Sequence, residues 1–570
     1  MPKSLSPRIL AVLMTPVLLS ACATAPSLRG PTVSDAETEG VSPYGLYLAG
    51  ETALDDGRAG MAADLLAQAS AKAPDAALLR ERAFAAALLA GDVDRAASLA
   101  PPPSIPAAYG LGQITQATVD LADGKGRAAY ARLKASTGGE HWAAATLLRP
   151  WAALAAGDTA AALEKPDLAA DRAVQMFSDL NRARVLEHVG RFAEADAAYA
   201  AIQDRGGLFA LAYGGFLERR GRRGEALALY DKALAKDPSD TAFRLARARA
   251  AAAGPALPEP SIRTAAAEAL LGPAELLVQQ KQPDAGLAYL RLALRLDPDL
   301  AEAWVLTGDA LDADHDSVAA RAAYARVPPM SAEYVAAQGR IVLDLQDEGD
   351  KAGAVAQAEA VAAARPDDPH ALLVLAELYQ DDARYADSVR VLDRLMASAA
   401  PATVLDWRLH YLRGAAYERE GKWPEGEADL QTALAEQPSD PEVLNYLGFA
   451  WADRGERLPE ALKLVEEAHA LDPESGAITD SLGWAHYRLG DYQAAVKDLE
   501  RAASLDPSDP EVNGHLGDAY WRTGRKLEAR YQWSRVLSLE PDAQARAAAQ
   551  AKLANGLPPQ ASLQAAPARP

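Results

Sequence analysis

One cysteine occurs in 570 residues, Cys22, and it lies ahead of every segment with folded periodicity. No disulfide can brace the folded part, and no thiolate set exists there for a zinc site. Positive charge is also in deficit: 58 Lys and Arg against 79 Asp and Glu leave a net charge of −21. That field repels nucleic acid and anionic lipid headgroups, and no basic patch interleaved with aromatics is strong enough to overturn it. Aromatics make up only 6% of the chain, so its packing must rest on aliphatic side chains. Catalytic signatures are missing as well. The eight histidines (141, 188, 315, 370, 410, 469, 486, 515) form no HExxH and no paired-ligand spacing. Gly110 and Gly112 lack the third glycine and the preceding strand of a phosphate loop, and no Gly-x-Ser-x-Gly elbow occurs. Asp312, Asp314 and Asp316 begin like a calcium loop. Ser317 then stands where glycine is needed and Ala323 where a bidentate Glu belongs, so this reads as an acidic turn. No enzyme, cofactor or metal is expected.

What the chain does have is a rhythm. Pro438, Pro473, Pro507 and Pro541 are spaced 35, 34 and 34 residues apart. Between them the register repeats: Gly448, Gly483 and Gly517 share a column, as do Ala461, Ala495 and Ala529. A bulky column follows (Val465, Leu499, Trp533), then a smaller one (Ala468, Ala502, Val536). Alanine and leucine dominate, which favours helix throughout. A period in this range is that of stacked helical hairpins. The small columns mark where paired helices cross closely. Gly421, Gly455, Gly490 and Gly524 sit where each first helix must end in a left-handed turn.

Seven segments follow from this reading. Residues 1–21 form a leader, with Lys3 and Arg8 ahead of an apolar stretch at 9–19 that is too short to span a bilayer. Residues 22–43 are a polar tether without apolar periodicity. A degenerate hairpin array covers 44–252, with a full repeat at 208–238. Prolines at 255, 258 and 260 break the pattern at 253–261. A second array runs over 262–541, a capping helix over 542–555, and a Pro/Ala/Gln tail over 556–570.

The Gly, Tyr, Ala, bulky, Ala and Pro columns resemble the tetratricopeptide repeat (TPR). The resemblance implies an all-α TPR solenoid wound into a right-handed superhelix, made to hold other proteins. Leu19-Ser20-Ala21-Cys22 resembles the bacterial lipoprotein box. That likeness implies cleavage before Cys22, lipidation of its sulfur, and residence on the periplasmic face of the outer membrane, because Ala23 is not an inner-membrane retention signal.

In TPR arrays the first helix of each hairpin lines the groove. On that register the inward positions of the last three repeats are Asn445, Phe449 and Asp453; Asp480, Trp484, Tyr487 and Arg488; then Asp518, Trp521 and Arg522. Aromatics with arginine suit an extended peptide, since the rings offer area at low entropy and the guanidinium can clamp a carboxylate. The same residues could instead pack neighbouring hairpins together. The blocks 444–457, 478–490 and 513–525, taken with the lipoprotein box, are similar to a group of large proteobacterial TPR lipoproteins that includes the LbcA-type adaptors. That similarity implies docking of a periplasmic carboxyl-terminal processing protease and presentation of cell-wall hydrolases to it. The alternative expectation is a scaffold for polysaccharide secretion, pilus assembly or outer-membrane protein insertion.

Overall fold

A computed structural model of the chain describes residues 38–135, 141–166, 168, 171–238, 240–252, 254–397 and 406–558. The leader, Cys22, most of the tether and most of the tail lie outside those residues. Among the described residues all regular structure is helical, as the alanine-rich composition predicts. No helix there is long and apolar enough to cross a membrane.

The repeat columns set the geometry of the C-terminal hairpins. Four of them follow one another: Asp406–Arg419 with Trp423–Glu436, Pro441–Arg454 with Leu458–Leu471, Gly476–Leu489 with Tyr492–Leu505, and Pro510–Arg522 with Lys526–Ser538. We call these the first to fourth hairpins, each with a leading and a trailing helix. A closing helix, Ala543–Asn555, packs on the fourth. The leading helices start on a recurrent signal. Asp440 and Asp509 each accept hydrogen bonds from the backbone N–H groups two and three residues on. Pro441 and Pro510 then occupy the first helical position, where no N–H is required.

Each leading helix ends at the expected glycine, with φ of +77° at Gly421, +74° at Gly455, +87° at Gly490 and +83° at Gly524. The glycine column inside the leading helices has a different cause. A Cβ at Gly483 would stand 2.6 Å from Leu499 Cγ, and one at Gly517 2.5 Å from Trp533 Nε1. The bulky column therefore fills the space that the small column vacates. Val465, Leu499 and Trp533 are each fully buried.

The chain groups into two compact units, one of residues 1–221 with 257–326, the other of 222–256 with 327–570. This partition by contact differs from the division by repeat order at 253–261. Within the first unit, Pro283–Leu296 is apolar around most of its circumference and packs on Ala77–Leu89, Val93–Leu99 and Pro106–Ala122. Arg291 donates to the Leu89 carbonyl at 3.2 Å, and Arg295 bridges Asp94 and Asp123 at 3.1 and 3.0 Å. Burial pulls the Arg291 guanidinium down to about 10, and the carbonyl end of Ala77–Leu89 is where such a cation is best placed. The acidic turn at 312–316 has a structural role: Asp316 accepts from Ala319 N at 3.0 Å and caps Ser317–Tyr324. No cluster of metal-ligating side chains occurs among the described residues.

Candidate protein interface

The ten residues singled out by register sit on three successive leading helices, those of the second, third and fourth hairpins. These helices also contact one another directly, second to third and third to fourth. None of the ten is exposed. Asp480, Trp484, Tyr487 and Asp518 are buried, whereas Asn445, Phe449, Asp453, Arg488, Trp521 and Arg522 are half-buried. The stripe is thus a seam, with its deeper members holding the hairpins together and its shallower members within reach of a partner.

The centre of the seam is a stack. The Trp484 indole lies 4.7 Å from the Tyr487 ring and 4.0 Å from the His515 ring, both nearly parallel to it. Phe449 closes on His515 from the second hairpin at 6.3 Å. Trp484 Nε1 donates to Asp453 Oδ1 at 3.3 Å, and Arg488 donates to the Asp453 carbonyl. Asp453, Trp484 and Arg488 therefore tie the second hairpin to the third. Tyr487 is in turn bonded by Arg522 Nε at 3.3 Å, which ties the third to the fourth. Burial raises the Tyr487 hydroxyl, the Asp518 carboxylate adds to this, and Arg522 only partly offsets it, leaving the group at about 12.

Asp518 is consumed by structure. It accepts from Trp533 Nε1 at 2.9 Å and pairs with Lys552 of the closing helix at 2.7 Å. Trp521 packs beside Trp533 and against Gly556, where a Cβ would stand 2.1 Å from the indole. Arg522 Nη1 reaches the Pro558 carbonyl at 2.7 Å. At the fourth hairpin, then, the expected site residues are engaged by the closing segment. Three polar atoms along the seam are buried without a hydrogen-bond partner among the described residues: Asn445 Oδ1, Asp480 Oδ1 and Arg522 Nη2.

His515 belongs to this seam but lies outside the ten. Its spacing from Asp518 and Arg522, three and seven residues, places all three on one face of the helix and was the available signal. Burial by itself lowers the imidazole's proton affinity. The Asp480 carboxylate at 2.8 Å, with Glu511 and Asp518 nearby, more than reverses this, so the group is raised above its ordinary value. A raised histidine stabilises the fold fully below its unfolded value of about 6.5, and that contribution disappears as pH rises through the folded value. We therefore expect wild type to exceed His515→Gln in unfolding temperature most at the acidic end of a pH 6–9 series. The gap should narrow as pH rises; a constant gap across the series would rule the linkage out.

Family models described as tetratricopeptide repeat match residues 411–476 and 481–545, and a further one matches 208–250. Among curated proteins, the "TPR repeat-containing protein PA4667" of Pseudomonas aeruginosa is 40% identical over 85 residues, 15% of this chain. That match spans only 14% of the relative's own length. Among solved structures, the APC/C hetero-tetramer Cut9–Hcn1 is 15% identical at a TM-score of 0.37, covering 92% of this chain and 97% of that one. The thermophilic TPR protein TTC0263 of Thermus thermophilus is 20% identical at a TM-score of 0.29, covering 33% and 99%. TM-scores this low assign neither partner nor activity. The matched segments are tetratricopeptide repeats, a scaffold for protein–protein interaction.

Proposed function

We propose that the chain is a lipid-anchored adaptor of the outer membrane. On this reading its leading-helix seam holds an extended segment of a periplasmic partner, a carboxyl-terminal processing protease, and brings cell-wall hydrolases to it. The observation that carries the reading is the set of orphaned polar atoms, Asn445 Oδ1, Asp480 Oδ1 and Arg522 Nη2, set among half-buried aromatics. A buried donor or acceptor left unpaired is unfavourable by about 1–3 kcal/mol, and a peptide main chain supplies both kinds of partner. Phe449 offers ring area beside Asn445 at small entropic cost. Lipid on Cys22 would confine adaptor and partners to one surface, so that contacts weak in solution still give useful occupancy.

The test is fractionation with the protease as reporter. Wild-type chain should sediment with outer membrane and carry the protease with it. Cys22→Ser should leave both in the soluble fraction. Asn445→Ala with Phe449→Ala should keep the chain on the membrane but release the protease. A Cys22→Ser chain that still sediments with membrane would refute the anchor. Protease retained by the Asn445→Ala, Phe449→Ala chain, with its unfolding temperature unchanged, would refute the seam.

A further inference from the structure

The trailing helices carry a charge gradient that the adaptor reading does not use. Trp423–Glu436 has four carboxylates and no Lys or Arg; Leu458–Leu471 has three and one; Tyr492–Leu505 has two and two; Lys526–Ser538 has one and three. The net charge therefore steps −4, −2, 0, +2 along four successive hairpins. At the acidic end, Glu425, Glu436, Glu460, Glu466 and Glu467 meet no cation within ion-pair distance among the described residues. At the basic end, Lys526, Arg530 and Arg535 likewise meet no carboxylate: Arg530 and Arg535 donate to the Leu553 and Pro507 carbonyls instead.

The outward ridge of each trailing helix follows the same register. It reads Pro424, Ala428, Thr432 in the first hairpin and Pro459, Lys463, Glu467 in the second. In the third it is Gln493, Lys497, Arg501, and in the fourth Leu527, Tyr531, Arg535. The fourth puts two large apolar side chains into solvent within one turn, Leu527 at 81% and Tyr531 at 64% exposed, whereas the second exposes a single one, Leu471 at its C-terminal end. The first offers exposed small apolar residues at the same two levels, Pro424 and Ala428. One end of the face is bulky and basic, and the other is small and acidic.

We propose that this face pairs with a second copy of the chain. A two-fold axis along the helices, midway between the second and third hairpins, reverses hairpin order but keeps helix level. Leu527 and Tyr531 then seat on Pro424 and Ala428 of the other copy. Arg530 comes to Glu425 and Arg535 to Glu436, each pair occurring twice, while Arg501, paired with Glu474 of its own chain at 2.9 Å, comes beside Glu467. Lys497 comes opposite Lys463, with Glu460 and Glu466 one turn away on the same helix as Lys463. Four helices each about 10 Å across and about 20 Å long present at most about 800 Å² per copy, the half-share of a standard interface.

Sedimentation velocity of the full chain carrying Cys22→Ser tests this, because the whole face is retained. A concentration-dependent dimer with a Kd in the micromolar range is expected, weakened by salt. Leu527→Glu with Tyr531→Ser should weaken it about tenfold or more without lowering the unfolding temperature. Arg530→Glu, which also gives up its bond to the Leu553 carbonyl, should weaken it comparably, and Arg530→Glu with Glu425→Arg should restore association. A monomer at every concentration up to about 1 mM would overturn the proposal. So would a dimer indifferent to these variants, or one that the Glu425→Arg reversal fails to rescue. A monomer that binds anionic vesicles through Leu527 and Tyr531 would assign the face to lipid and overturn it equally.

Discussion

Trp533→Ala is expected to destabilise the fourth hairpin by about 3–5 kcal/mol, the range for truncating a fully buried tryptophan. The ring is inaccessible to solvent and fills the space left by Gly517. Its Nε1 also satisfies Asp518, which is itself buried and shared with Lys552. The variant thus opens a cavity and orphans part of a carboxylate at the point where the closing helix attaches. Because a hairpin array is stabilised by neighbour contacts, the loss should be local. Amide hydrogen exchange should show Pro510–Arg522, Lys526–Ser538 and Ala543–Asn555 opening together while Asp406–Arg419 keeps its protection. Uniform loss of protection through both compact units would show that the array melts as one body, contrary to this account.

Arg219→Met should be comparably damaging in the first unit. The Glu187 carboxylate is 3% exposed and is held by Arg219 in two bonds, 2.7 and 2.9 Å, with the Tyr199 hydroxyl at 3.0 Å. Burial, with Glu187 alongside, pushes the Tyr199 hydroxyl far above its ordinary value, so it remains a donor at any working pH. Removing the guanidinium leaves a buried charge with one neutral donor, a loss of about 3–5 kcal/mol. Removing both charges should restore much of it, since a well-packed apolar pair needs no counter-ion. Denaturant midpoints should therefore rank wild type near Glu187→Leu with Arg219→Met, and both well above Arg219→Met alone. If the double variant is no better than the single, the lost stability comes from packing and not from the stranded carboxylate.

The C-terminal hairpins were legible because their signals are local. Asp-Pro caps, left-handed glycines and a glycine column matched to a bulky column each act within one hairpin, and Gly483 with Leu499 shows the match at 2.6 Å. The grouping of 257–326 with the first unit was not legible. It rests on Pro283–Leu296 burying itself against helices some two hundred residues earlier, as in the bond from Arg291 to Leu89, and a repeat period carries no information about such contacts. Helical register put the ten site residues on facing helices, but it carries no measure of depth and so left groove and packing roles open. Asp518 and Trp521 carry the same sequence pattern as a groove, yet Lys552 and Gly556 of the closing segment engage them. Position within the array decides this, since the fourth hairpin is followed by the closing helix Ala543–Asn555 instead of another hairpin.

The seam of leading helices is proposed to receive a protein partner. Hydrogen exchange of the chain with and without purified processing protease addresses it most directly. Added protection is expected at 445–453, 480–488 and 511–522, and none on the trailing helices of the same hairpins. Tight binding whose protection falls elsewhere, or no binding to the protease at all, would contradict it.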